Sequence, residues 1–313
     1  GPPAVHRQQR VVAVDHRGLL TPLSIPVGSY GLWLRLSPDG GRLALAVRTL
    51  RKESLWVYDL ARGAGFPLTH EGEAGGGPLW FPDARHLLVS WTRNGRSTLA
   101  MLAADGREGA QELRSGYTRA SSFAPDGRVA VVTRSPDTGP DIMIASIQDG
   151  KAHLEPLVQS TYVEQYPEFS PDGKWLVFGS NMSGRDEIYV QPYPGRGGAV
   201  PVSVEGGGSP AWHPNGREIF FLGRHRDRGL RMMAVSFTEG SPPRIGSPRE
   251  LFGNDGRGLE MGCGVNRCYD LSADGTRFYA FQSVEPPPLP VVTEVNLIQN
   301  WFEELKAKVP PPR

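Results

Sequence analysis

His70, Glu71 and Glu73 sit close together early in the chain. Further polar side chains recur at Arg93 and Asn94, Tyr117 and Arg119, Tyr162 and Glu164, Asn181 and Arg185, Glu205, Arg224 and His225, and Asp255, Glu260, Asn266 and Arg267. Glu73, Glu164, Glu205 and Glu260, with Asn181, are the hard oxygen donors that a Ca²⁺-type ion takes, and carboxylates also serve Zn²⁺. His70 or His225 is the residue type of a general base. Brought together, His70, Glu164 and His225 with a metal on the glutamates could hydrolyse a lactone, ester or phosphoester. Arg93, Tyr117, Arg119, Tyr162, Asn181 and Arg267 offer a different chemistry, charge and stacking contacts to a polar or anionic ligand. The plainer reading of all of them is solvated loop residues. Their spacing demands no metal, since His70 has no second histidine one helical turn on and His225 stands among Arg224, Arg226 and Arg228. No Gly-x-Ser-x-Gly elbow occurs either.

The elements that must position these residues are announced by one turn written six times. It appears as Ser37-Pro38-Asp39-Gly40, Phe81-Pro82-Asp83-Ala84, Ala124-Pro125-Asp126-Gly127, Ser170-Pro171-Asp172-Gly173, His213-Pro214-Asn215-Gly216 and Ser272-Ala273-Asp274-Gly275. Pro presets φ, Asp or Asn tolerates the bridge region, and Gly supplies φ > 0 before the next strand. The period, a little over 40 residues, is that of a propeller blade. Each turn is followed by a short apolar run such as Trp175-Leu176-Val177-Phe178, too short for a helix and bounded by turn residues. Third strands such as Glu187-Ile188-Tyr189-Val190 and weaker fourth ones such as Val200-Pro201-Val202-Ser203 follow, and four strands make a blade. The predicted fold is therefore all-β, a six-bladed β-propeller of four-stranded antiparallel blades.

The segment Val11–Leu23 reads like Trp56–Leu68, the outer half of a blade. The last turn lies near the C-terminus, so the terminal strands are expected to pair in one blade and close the ring, which removes exposed sheet edges. Val291–Leu297 competes for the third position of that blade. The chain of 313 residues is read as a single domain: 1–10 a tag scar or linker suggested by Gly1-Pro2, 11–25 outer strands of the closing blade, and 298–313 a cap with a Pro-rich tail.

Lys plus Arg at 34 against Asp plus Glu at 33 gives a net charge of +1, which makes no electrostatic case for nucleic acid or a membrane surface. No run of apolar residues is long enough to span a bilayer, so membrane insertion of this domain is not expected. Cys263 and Cys268 flank a short loop; a disulfide and a pair of thiols are both open readings. Trp33, Trp56, Trp80, Trp91, Trp175 and Trp212 fall in or beside strands and are expected in the core.

The repeats resemble those of TolB-type, Ser-Pro-Asp-Gly propellers, most closely at Tyr166–Phe178 and Asn181–Pro194. With Asn300–Lys306, these residues also resemble the C-terminal propellers of bacterial membrane-anchored Ser/Thr kinases. The resemblance spans nearly the whole chain and implies a binding module on the extracytoplasmic side of a bacterial cell. It implies a small molecule, glycan or peptide at the channel mouth, or another protein, as partner. The hydrolase remains the alternative. No kinase motif is present.

Overall fold

A computed structural model describes residues 8–49, 52–70, 74–93, 95–195, 197–225, 228–262 and 267–284, apart from the side chains of residues 32, 74, 75 and 93. No helix occurs among them, and six antiparallel sheets stand around an axis. The first blade runs from the axis outward as Tyr30–Leu36, Arg42–Arg48, Glu53–Asp59 and Gly65–Pro67. The second begins with Ala74–Trp80, the third with Thr118–Phe123, the fourth with Glu164–Phe169 and the fifth with Gly208–Trp212.

Three of the six turns, those that begin with serine, repeat one set of side-chain bonds. Ser170 Oγ donates to Asp172 Oδ1 at 2.6 Å and accepts from Trp175 N–H at 3.0 Å, and Ser37 and Ser272 make the same pair of contacts with Asp39 and Arg42, and with Asp274 and Arg277. Gly40, Gly127, Gly173, Gly216 and Gly275 carry φ of +70° to +85°, and Ala84 takes that place at +55°. A glycine there avoids the clash a Cβ suffers in the left-handed region.

Such bonds favour the ionised turn carboxylates. The Ser272 hydroxyl and then Thr276 N–H hold Asp274 at about 2, below the ordinary 3.8. Asp172 also lies at about 2: burial raises it, but the bonds from Ser170 and Lys174 outweigh that. A carboxyl depressed in the folded state contributes stability above its unfolded pKa and loses it as pH falls towards the folded one. The thermal midpoint is therefore expected to be flat above about pH 5 and to fall between about pH 4 and pH 2. Acid scans of the wild type and of Asp274→Asn check this; a midpoint that holds at pH 2 would contradict it.

The chain closes on itself as the repeats foretell. Gln8–Asp15 pairs along its whole length with Arg277–Val284, from Gln8 opposite Val284 to Asp15 opposite Arg277, and Leu20–Pro22 lies outside it. On its other edge, Arg277–Val284 pairs with Leu259–Glu260 and Asp270–Leu271. The third strand of this blade is thus the N-terminal Gln8–Asp15, and Val291–Leu297 lies outside the described residues. The long interval before the sixth turn is also explained. The fifth blade gains a strand, Arg249–Gly253, and the innermost strand of the sixth is split into Leu259–Glu260 and Asp270–Leu271.

The interior is six apolar clusters, one in each seam between blades. The closing strand serves two of them, because successive side chains of a strand point to opposite faces. Val11 packs with Tyr30, Leu34 and Phe281, while Val12 and Val14 pack with Phe220, Tyr269 and Phe278. Trp80, Trp175 and Trp212 are buried as expected. Trp33 is only partly buried and faces the axis.

Candidate functional site

Each innermost strand presents one edge to the axis, and that edge must find hydrogen-bond partners. Two devices supply them. The residue two places before the turn accepts from the backbone of the next blade: Ser122 Oγ from Phe169 N–H at 3.0 Å, Glu168 Oε1 from Trp212 N–H at 2.9 Å, and Asp270 Oδ2 from Leu36 N–H at 2.8 Å. The indole one place before the turn donates back, Trp80 Nε1 to Arg35 O at 3.0 Å and Trp212 Nε1 to Glu168 O at 3.2 Å. These clasps tie blade to blade beside the axis.

Five of the innermost strands also carry a bulge. At three of them a residue with positive φ precedes proline: Gly77-Pro78, Tyr166-Pro167 and Ser209-Pro210. A bulge re-aims side chains, here into the channel. Tyr166, Trp33 and Arg119 line an axial cavity whose floor is Arg35, Glu168 and Arg267. The interruption in the sixth blade delivers Arg267, whose guanidinium bonds to Glu168 and, at 2.9 Å, to Asp270 while lying 5.7 Å from the Tyr269 ring. Arg35 donates to the carbonyls of Leu34, Arg267 and Tyr269.

Burial dominates the electrostatics of this floor. It pulls Arg35 down to about 10, with Arg267 adding to the effect and Asp270 and Glu168 opposing it. Burial pushes the Glu168 carboxyl up against the pull of Arg267 and Trp212 N–H. Burial would lower Arg267 as well, but Glu168 and Asp270 reverse the sign and hold it firmly charged. The network thus seals the turn end of the channel. Above it the cavity measures about 30 Å³, room for about one water and far below the several hundred Å³ of a ligand pocket.

The structure disperses the residues singled out in the sequence. Glu73 and the Arg93 side chain lie outside the described residues. His70 is exposed at the end of its blade. Arg119 and Glu164 are not loop residues but begin innermost strands, and both are buried. Arg119 lines the axial cavity, its charge disfavoured by burial and supported by Tyr117 and Tyr166. Asn181 accepts from Val163 N–H at 2.9 Å. Glu260 bonds Gln9 at 2.7 Å and Ser283, and Arg267 belongs to the floor. Glu205 and His225 both line a cleft of about 260 Å³, with Arg224, Phe221 and Glu250. Among the described residues no three His, Cys, Asp or Glu side chains gather as a metal site, so Glu164, Glu205 and Glu260 do not form the shared ion site expected of them. Cys268 is buried and disulfide-bonded, beside Arg267; Cys263 lies outside the described residues.

The described loops leading into the innermost strands reach the face opposite the turns. Val27, Tyr117, Tyr162 and Val204 stand on four of them, each between 38% and 63% exposed. Arg134 stacks on Tyr117 at 5.1 Å. A cleft of about 720 Å³ lined by Arg228, Arg231, Asp255 and Glu260 opens on the same face.

Closed blades, repeated turns and a sealed axis define the class, a six-bladed β-propeller with its termini joined in one blade. Within that class the chain is similar to TolB propellers over part of its length. A family model described as the TolB beta propeller domain matches residues 99–244. A TolB structure from Agrobacterium tumefaciens superposes with a TM-score of 0.66 at 19% identity, covering 90% of this chain and 99% of that one. TolB from Acinetobacter baumannii gives 0.57 at 17%, covering 89% and 64%, and an oligogalacturonate lyase solved with manganese gives 0.52 at 15%, covering 87% and 84%. Among curated proteins, an uncharacterized peptidase, YuxL of Bacillus subtilis, is 24% identical over 196 residues, 48% of this chain and 29% of that protein. The match thus spans less than a third of that relative's length. TolB proteins and propeller enzymes both stand among the similar proteins, so the shared fold leaves the role to be argued from the site.

Proposed function

We propose that this propeller is a recognition module that binds a protein or peptide on the face carrying the lead-in loops, as the extracytoplasmic sensing part of a larger bacterial signalling protein. The observation that carries the reading is the row of exposed Val27, Tyr117, Tyr162 and Val204 on loops of four blades. Bulky apolar side chains held on one face of a rigid scaffold favour association, and tyrosine is enriched where partners meet. The small axial cavity argues in the same direction, since its volume of about 30 Å³ suits a water and not a sugar or a peptide. The TolB likeness supports an extracytoplasmic setting.

Selection of peptides from a displayed random library tests the reading. Binders are expected to lose about tenfold or more in affinity for Tyr117→Ser/Tyr162→Ser/Val204→Ser while that variant keeps the wild-type melting point. Binders indifferent to the triple change, or none at all, would contradict it. The second reading, metal-assisted hydrolysis, rests on Glu205 and His225 sharing a cleft. Chelator-sensitive turnover of an ester, lactone or phosphotriester, lost in His225→Ala, would put that reading first.

A further inference from the structure

We propose that the junction of the third and fourth blades binds a hard cation, Ca²⁺ by its chemistry, between Asp141 and Glu164. Each carboxylate is 1% exposed, and each is tied down by one oxygen only. Asp141 Oδ2 accepts from Thr138 Oγ1 at 2.6 Å and from Gln159 Nε2 at 3.4 Å. Glu164 Oε1 accepts from Ser160 Oγ at 2.6 Å. Gln159 and Ser160 are consecutive residues of the loop joining the two blades, so one short segment tethers both carboxylates.

The remaining oxygens, Asp141 Oδ1 and Glu164 Oε2, are buried and hydrogen-bond to nothing. Thr118 Oγ1 is in the same state. Thr118 pairs with Thr133 and Thr133 with Asp141, which puts the three side chains in one row on one face of the third blade. Buried polar atoms without partners are rare and call for a ligand, a water or an ion. Two carboxylates in particular are costly to bury without a countercharge. Burial raises the Glu164 carboxyl, the Ser160 bond opposes this, and the nearby charge of Asp141 raises it further. A cation would relieve both carboxylates at once. Carboxylate and hydroxyl oxygens select hard ions, and an irregular set of oxygens suits Ca²⁺, whose coordination is flexible, better than Mg²⁺, which demands a near-ideal octahedron.

The loop held by this pair carries Tyr162, so an ion here would also fix part of the face described above, yet its test is independent of that reading. Protein stripped with EDTA is titrated with CaCl₂ while its thermal midpoint and metal content are followed. At about a hundredfold excess over the dissociation constant, the midpoint is expected to rise by about 3–5 °C, with one Ca²⁺ retained per chain. Asp141→Asn/Glu164→Gln, which keeps the side-chain shapes, is expected to fold and to lose the response. A wild-type midpoint unmoved by Ca²⁺ and Mg²⁺ would overturn the proposal, as would a double variant that responds like the wild type. If neither ion acts and Glu164→Gln alone is more stable than the wild type at pH 7, a shared proton replaces the cation.

Discussion

Truncating Glu168 to alanine is expected to destabilise the propeller by about 3–5 kcal/mol, the range for removing one partner of a buried ion pair. Its two oxygens serve different masters: one accepts from Arg267 across the axis, the other from Trp212 N–H in the next blade. Without it, Arg267 keeps Asp270 alone as an anionic partner among the described residues, and the fifth blade loses a clasp. Glu168→Gln keeps an acceptor for Trp212 N–H and removes the charge, so it should cost less than the alanine. The pair Glu168→Ala and Arg267→Ala should cost less together than the sum of each alone, because the second removal strands no charge. Urea unfolding at neutral pH measures all four. A loss of under about 1 kcal/mol for Glu168→Ala would place the pair among solvent-screened ones and contradict a sealed channel floor.

The second large effect is expected at the closing strand. Val12 has no exposed surface, stands opposite Ala280 and packs with Phe220, Tyr269 and Phe278. Val12→Asp would put an unpaired charge into that seam and should cost more than about 4 kcal/mol, enough to unfold most domains of ordinary stability. Removing residues 1–22 should do more. It strips both outer strands of the sixth blade, opens two seams and leaves Arg277–Val284 with a free edge eight residues long, a template for aggregation. The expected outcome is loss of a cooperative melting transition and of the monomer in size exclusion. Thr21→Asp, on the exposed Leu20–Pro22 strand, serves as the control and should melt like the wild type. A truncated chain that still melts cooperatively as a monomer would show that closure is dispensable.

The architecture was legible because it is built from local chemistry repeated six times. Ser, Pro, Asp and Gly in order specify one turn wherever they fall, and the likeness of Val11–Leu23 to Trp56–Leu68 gave away the pairing of the ends. The axis was not legible in the same way. The polar candidates legible in the sequence fall in loops, whereas Arg35 and Glu168 lie inside strands that carry bulges beside the axis. The dipeptide Tyr166-Pro167 ahead of Glu168, repeated as Gly77-Pro78 and Ser209-Pro210, was the available signal: proline after a residue of positive φ marks a bulge beside the axis. Asp141 escaped notice for a related reason. A lone acid in a third strand reads as a solvated side chain until the neighbouring blade covers it, and Glu164 comes from that blade. Arg267 was found by its type, but that it would bridge to Glu168, 99 positions away, depends on the interruption of the sixth blade.

The exposed face is the part of the account that bears on function, and hydrogen exchange with a library-selected peptide bound tests it most directly. Slowed exchange is predicted in the segments around Val27, Tyr117, Tyr162 and Val204, with the turns at Asp39, Asp126, Asp172 and Asp274 unchanged. Protection confined to those turns, or to the strands around Glu168 and Arg35, would show that recognition takes place on the opposite face or on the axis.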